Sequence, residues 1–198
     1  MLLLAFDMAK DVNVNKLIIS SNRTVFDMQS IVLLSGISDN LRLRQMMNYY
    51  VKRGELLNPR RGIYAKVGYD PREMACAILQ PAYISLEYVL QRAGVTFQYD
   101  DTITCVSYQN RTIEVDENVY SFRRINPMLW MNMQGLIQEK GYTIATPERA
   151  FLDMIYLSAG QCYFDNLRPL QKSIINQLLP TYQSKVLTER VKNIFQNG

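Results

Sequence analysis

Punctuation constrains this chain more than composition does. Between Val14 and Lys66, breaks recur so closely that only short elements fit between them: Ser21-Asn22, Gly36, Gly54 and Pro59-Arg60-Arg61-Gly62. Val14 to Ser20 suits a helix, and Thr24-Val25-Phe26 suits a short extended link. Asp27 can cap a second helix, because its carboxylate accepts the free backbone N–H groups of a first turn. Gly36 suits the left-handed residue that closes such a helix. Ser38 is placed to cap a third helix over Asp39 to Arg53. Asp39 lies at its positive end, Lys52 and Arg53 lie at its negative end, and Gly54 follows. Strands over Glu55 to Asn58 and Ile63 to Lys66 flank Pro59–Gly62, a segment rich in turn formers.

Helix, helix, turn, helix and a two-stranded hairpin is the order of a winged helix-turn-helix, which we assign to residues 1–69. A second domain, 70–198, opens with Asp70-Pro71-Arg72-Glu73, a strong helix start that runs to just before Gln80-Pro81. Ser85 is placed to cap another short helix, closed by Gly94. The periodicity then changes to two: Thr102–Tyr108, Arg111–Val115 and Val119–Arg123 alternate like half-buried antiparallel strands. A hairpin is expected to turn at Glu139-Lys140-Gly141. Thr146-Pro147 starts a helix through Tyr156, and helices are expected over 166–178 and 184–196. The predicted fold class is α+β: an N-terminal winged helix-turn-helix, then an α+β domain with a small antiparallel sheet and C-terminal helices.

Composition removes several function classes. The chain has no histidine, which excludes Ser-His-Asp and Cys-His sites and the commonest zinc ligand. Cys76, Cys105 and Cys162 are scattered with no CxxC spacing, and are expected to be reduced, buried thiols of a cytosolic protein. No P-loop or dinucleotide fingerprint occurs. Glu148 and Asp153 stand five apart on one helix and do not converge; Glu148 is expected to face the free N–H groups of that helix start. Tyr83, Tyr88 and Tyr156 are expected to be buried with paired hydroxyls. Nothing points to an enzyme, a metal or a cofactor. Leu2 to Phe6 lacks a preceding positive charge and is too short for a secretion signal. Those residues are expected to pack on the body of the protein or on a second copy, which leaves a homodimer open. No apolar run is long enough to span a membrane, and the expected location is the cytoplasm.

The formal net charge is only +4, but its distribution is uneven. Residues 1–75 carry eleven Lys/Arg against seven Asp/Glu, whereas 76–198 carry eleven of each. A local basic patch of this kind is the footprint of a nucleic-acid-binding surface. On the third helix, Leu43, Met46, Met47, Tyr50 and Val51 fall on one stripe, the pattern of a core-facing helix. Leu41, Gln45, Asn48 and Lys52 fall opposite, with Arg42, Tyr49 and Arg44 on the flanks. In a helix-turn-helix such a face enters the major groove, where Gln and Asn pair with adenine and Arg with guanine. Arg60 and Arg61 at the hairpin tip can reach a phosphate or a narrow minor groove. The candidate DNA-binding residues are Ser38, Asn40, Arg42, Arg44, Gln45, Asn48, Lys52, Arg60, Arg61 and Lys66. The alternative is a solvated helix face on a winged-helix protein-interaction module without sequence-specific DNA binding.

Three segments carry a family resemblance. Leu56-Leu57-Asn58-Pro59-Arg60-Arg61-Gly62-Ile63-Tyr64-Ala65 looks like the wing of the AbiE antitoxins. Tyr83-Ile84-Ser85-Leu86-Glu87-Tyr88-Val89-Leu90, with Gly94 beyond, resembles the family's YISLESAL…G segment. Ala145-Thr146-Pro147-Glu148-Arg149-Ala150-Phe151-Leu152-Asp153-Met154-Ile155-Tyr156 resembles its A-x-PEKALLDLLY segment, with Arg149 in place of the usual Lys. The three stand in the family's order. The resemblance implies an antitoxin of a type IV toxin–antitoxin, abortive-infection pair. Such a protein represses its own operon by binding double-stranded DNA at its promoter, and it counteracts a nucleotidyltransferase-like toxin. The chain is shorter than the longer members of the family, in the part that would carry antitoxin activity.

Overall fold

The computed structural model describes residues 13–159 and 161–197; the expectation for Leu2 to Phe6 lies outside them. The described chain is α+β and divides into two compact units, Met1–Ile78 and Leu79–Gly198. The sequence placed the boundary at 69/70.

The first unit runs α1 (Val14–Ser20), β1 (Val25–Asp27), α2 (Met28–Ser35), α3 (Asn40–Lys52), β2 (Leu57–Arg60), β3 (Ile63–Ala65) and α4 (Pro71–Ile78). Its three strands form an antiparallel sheet in the order β1-β3-β2. Asp27 accepts from the Ser30 N–H at 2.7 Å, and Gly36 closes α2 at φ 69°, both as the sequence indicates. Asp39, and not Ser38, caps α3: its carboxylate takes the N–H groups of Leu41 (3.0 Å) and Arg42 (3.1 Å). Val14, Ile18, Phe26, Ile31, Leu43, Met47, Leu56 and Tyr64 close one core among these elements.

Helix α4, expected to open the second domain, belongs to the first unit. Glu73 is buried, and one carboxylate oxygen accepts the N–H groups of both Thr24 (2.7 Å) and Val25 (3.0 Å). Its carboxylate gives the N–H groups at the start of β1 the partner that burial demands.

The second unit contains β4 (Ala82–Ile84), α5 (Glu87–Arg92), β5 (Ile103–Ser107), β6 (Arg111–Val115), β7 (Asn118–Arg124), α6 (Pro127–Trp130), β8 (Leu136–Gln138), β9 (Thr143–Ala145), α7 (Pro147–Leu157), α8 (Lys172–Leu178), a 3₁₀ turn at Leu179–Tyr182, and α9 (Lys185–Asn197). Residues 166–171 lie outside α8, so that predicted helix is shorter than expected. The sheet is six-stranded and mixed, in the order β6-β7-β5-β4-β9-β8, with β5–β7 and β4–β9 parallel. The sequence predicted a small antiparallel sheet. Alternation misled at β5, where all five residues are buried. Its polar members are matched to backbone: Thr104 donates to the Ser85 carbonyl (2.7 Å) and Ser107 to the Pro81 carbonyl (2.9 Å). A strand covered on both faces suits parallel pairing.

Around α7 lies a buried polar cluster. Arg149 and Asp153 are both fully buried and joined at 3.1 Å. All five guanidinium N–H groups have an acceptor: Asp153, the carbonyls of Leu129 (2.7 Å), Asn132 (3.2 Å) and Gln134 (2.9 Å), and the Tyr83 hydroxyl (2.9 Å). Asp153 in turn accepts from the hydroxyls of Tyr83 (3.0 Å), Ser85 (2.9 Å) and Tyr182 (2.6 Å). Burial alone would lower the Arg149 pKa; the negative charge of Asp153, together with Tyr182 and Tyr83, more than offsets it and the net direction is up. Burial pushes the Tyr83 and Tyr182 hydroxyls well up, with Asp153 adding to the rise. A β-carbon on Gly135 (φ +73°) would lie 2.9 Å from the Arg149 β-carbon, so the loop closes this tightly only with glycine there.

The cluster corrects several expectations. Ser85 faces Asp153 and does not cap α5; the chain instead passes through Leu86 at φ 62° with no side-chain cap. Glu148 is buried and accepts the N–H of Gln171 (3.1 Å), while Thr146 caps α7. Tyr83 and Tyr88 are buried, but Tyr156 is only half-buried. Of the cysteines, all free, only Cys105 is buried.

Candidate nucleic-acid interface

Helix α3 is oriented by its apolar stripe. Leu43 and Met47 are fully buried, and Met46, Tyr50 and Val51 pack against the same core. The helical period then turns Leu41, Arg42, Gln45, Asn48 and Lys52 outward, and all five are exposed. Arg44 is exposed on the flank beside Tyr64. Burial raises the Tyr64 hydroxyl pKa, and the positive charge of Arg44 opposes that rise. Among the described residues, no side-chain hydrogen bond or ion pair engages Arg42, Gln45, Asn48, Lys52 or Arg61.

The last turn of α3 is held differently. Arg53 donates to the Tyr49 hydroxyl at 2.7 Å, lies 5.4 Å from that ring's centre, and pairs with Glu55 at 2.6 Å. The Tyr49 hydroxyl and then Glu55 raise the Arg53 pKa. Glu55 also accepts from the Asn15 amide, which ties this end to α1. Arg53 is therefore committed within the chain.

The hairpin turns later than the sequence suggests. Pro59 and Arg60 belong to β2, and the connection is Arg61-Gly62, with Gly62 at φ 81°. The Asn58 side chain fastens it from within, donating to the carbonyls of Arg60 (2.9 Å) and Ile63 (2.7 Å). Sequence reasoning missed this role; an Asn three residues before the Arg61-Gly62 connection was the available signal. Arg61 is exposed at the tip, whereas Arg60 is half-buried.

Three other candidates contribute less than the sequence suggests. Ser38 and Asn40 are exposed at the entrance to α3, where Asp39 already takes the N–H groups of Leu41 and Arg42. Lys66 is engaged within the chain. Its ammonium donates to the carbonyls of Ile19 (3.0 Å) and Ser21 (2.6 Å) at the C-terminal end of α1. A cation there satisfies orphan carbonyls and opposes the negative end of the dipole.

Among the described residues no group of three or more His, Cys, Asp and Glu could hold a metal ion. No helix among them is long and apolar enough to cross a membrane. In the second unit Tyr83 and Ser85, on the Tyr83–Leu90 segment, bind the Arg149–Asp153 pair of α7. No protein-family model and no curated protein matches the chain.

Proposed function

We propose that the first unit is a winged helix-turn-helix that binds double-stranded DNA, with α3 in the major groove and the Arg61 tip on the backbone or in the minor groove. The protein as a whole is then a cytoplasmic transcriptional repressor of its own promoter. It is also the antitoxin of a type IV pair, set against a nucleotidyltransferase-like toxin. The observation that carries the DNA reading is the α3 face opposite the buried Leu43–Met47 stripe. Its Arg, Gln, Asn and Lys side chains are all exposed and unengaged among the described residues. Those are the side chains that read base edges and neutralise phosphates.

The test is a gel-shift titration on the chain's own upstream DNA and on a random duplex over a range of salt. Tighter binding to the upstream DNA, falling steeply with salt as counterions are released, is expected. Equal binding to both at every salt contradicts repression. For the antitoxin half, co-expression with a nucleotidyltransferase-like neighbour should relieve that neighbour's toxicity, and unrelieved toxicity contradicts it. A protein-interaction module is the second reading. It is favoured by Leu33 on α2, which is 85% exposed beside the partly exposed Leu34.

A further inference from the structure

One residue on the exposed face of α3 does not fit a surface built for phosphates or water. Leu41 is 69% exposed, in the first turn of the helix, with Arg42 beside it and Gln45 and Asn48 on the same ridge at i+4 and i+7. It cannot turn to the core, because Leu43 and Met47 fix which side of the helix is buried. A lone exposed leucine needs no explanation on an ordinary surface. This one lies in the part of a recognition helix whose residues meet base edges. The Asp39 carboxylate also takes the N–H groups of Leu41 and Arg42 and presents a negative charge beside them, which disfavours a phosphate at this turn. What Leu41 meets in a groove is therefore the floor, and the apolar feature of the major-groove floor is the thymine C5-methyl group.

We infer that Leu41 is a specificity-determining residue that selects a thymine methyl in the operator. This rests on the DNA-binding reading above and adds the identity of a base. Leu41 and Gln45 are four residues apart, about 6 Å along the helix axis. Base pairs stack about 3.4 Å apart. The thymine thus lies within about two base pairs of the base that Gln45 reads.

The experiment uses the full chain and the tightest duplex it selects from a random-sequence pool. That duplex is made twice, with thymine and with deoxyuridine at every thymine position. Uracil keeps the hydrogen-bonding pattern and lacks only the methyl. The parent should bind the uracil duplex about fourfold more weakly for one buried methyl. Leu41→Ala should bind both duplexes equally, and Leu41→Met should keep the preference. Substituting thymines singly should place the effect at one or two positions. If the parent binds both duplexes equally, or Leu41→Ala keeps the full difference, the inference is wrong while DNA binding stands. If the pool yields no duplex that is bound over random DNA, the DNA reading itself fails and takes this inference with it.

Discussion

Arg149 shows at the scale of one residue how far burial can reverse an expectation. A buried guanidinium is tolerable because each of its donors has an acceptor and its charge has Asp153. Arg149→Met should destabilise the second unit by about 3–5 kcal/mol, since it leaves Asp153 buried and unpaired. Arg149→Lys should rescue only part of this, because an ammonium has three donors in place of the planar five. Urea melts of the three proteins at neutral pH check both. The hydroxyls that share Asp153 set a pH limit. Tyr83 and Tyr182 are raised in the folded state, so their contribution is complete below the unfolded tyrosine value of about 10 and is lost as pH rises toward the folded values. Stability measured from pH 8 to 12 should therefore fall above about pH 10, and Tyr83→Phe should reduce that slope. In the sequence, Arg149 reads as a mild exchange for lysine. Its three carbonyl acceptors lie on the 129–134 segment, and nothing in local spacing announces a tertiary contact of that kind.

At the scale of elements, what was legible followed local chemistry. Asp27, Gly36 and Thr146 mark helix ends by hydrogen bonds within a few residues, and the structure has them in those roles. The apolar stripe of α3 was equally legible, because period 3.6 alone decides which face is buried. Lys66 was not, since its partners are carbonyls more than forty residues away. Nor was the parallel pairing of β5 with β7, because the polar Thr104 and Ser107 imitate an exposed face while binding backbone in the interior. These differences separate two basic residues by measurement. Lys66→Met should lower the melting temperature of the first unit by loosening the end of α1, with little change in DNA affinity once folded. Arg61→Ala should leave melting unchanged and weaken binding to selected and random duplexes alike. It should also flatten the log–log salt dependence by about 0.9, the slope that neutralising one phosphate contributes. An Arg61 variant that binds like the parent at all salt concentrations removes the hairpin tip from the interface.

At the scale of the whole molecule, the two units have separate cores, and α4 belongs with the first. Residues 1–78 expressed alone should fold and bind DNA, while residues 1–69 should be less stable, because they lack Glu73. Glu73→Ala in the full chain should cost the first unit about 1–3 kcal/mol for the buried Val25 N–H it leaves without a partner, and less for the half-buried Thr24 N–H. Equal stability of the two fragments would show that α4 is an appendage and not part of the fold. The proposal that the outward face of α3 reads DNA sequence is tested by the ratio of affinities for a selected and a random duplex, in the parent and in Gln45→Ala/Asn48→Ala, with melting curves for both proteins. Unchanged melting is expected, with a loss of about 1–3 kcal/mol for each bidentate base contact, on the selected duplex only, so that the ratio falls toward one. A double variant that melts normally and keeps the parent's ratio would contradict it.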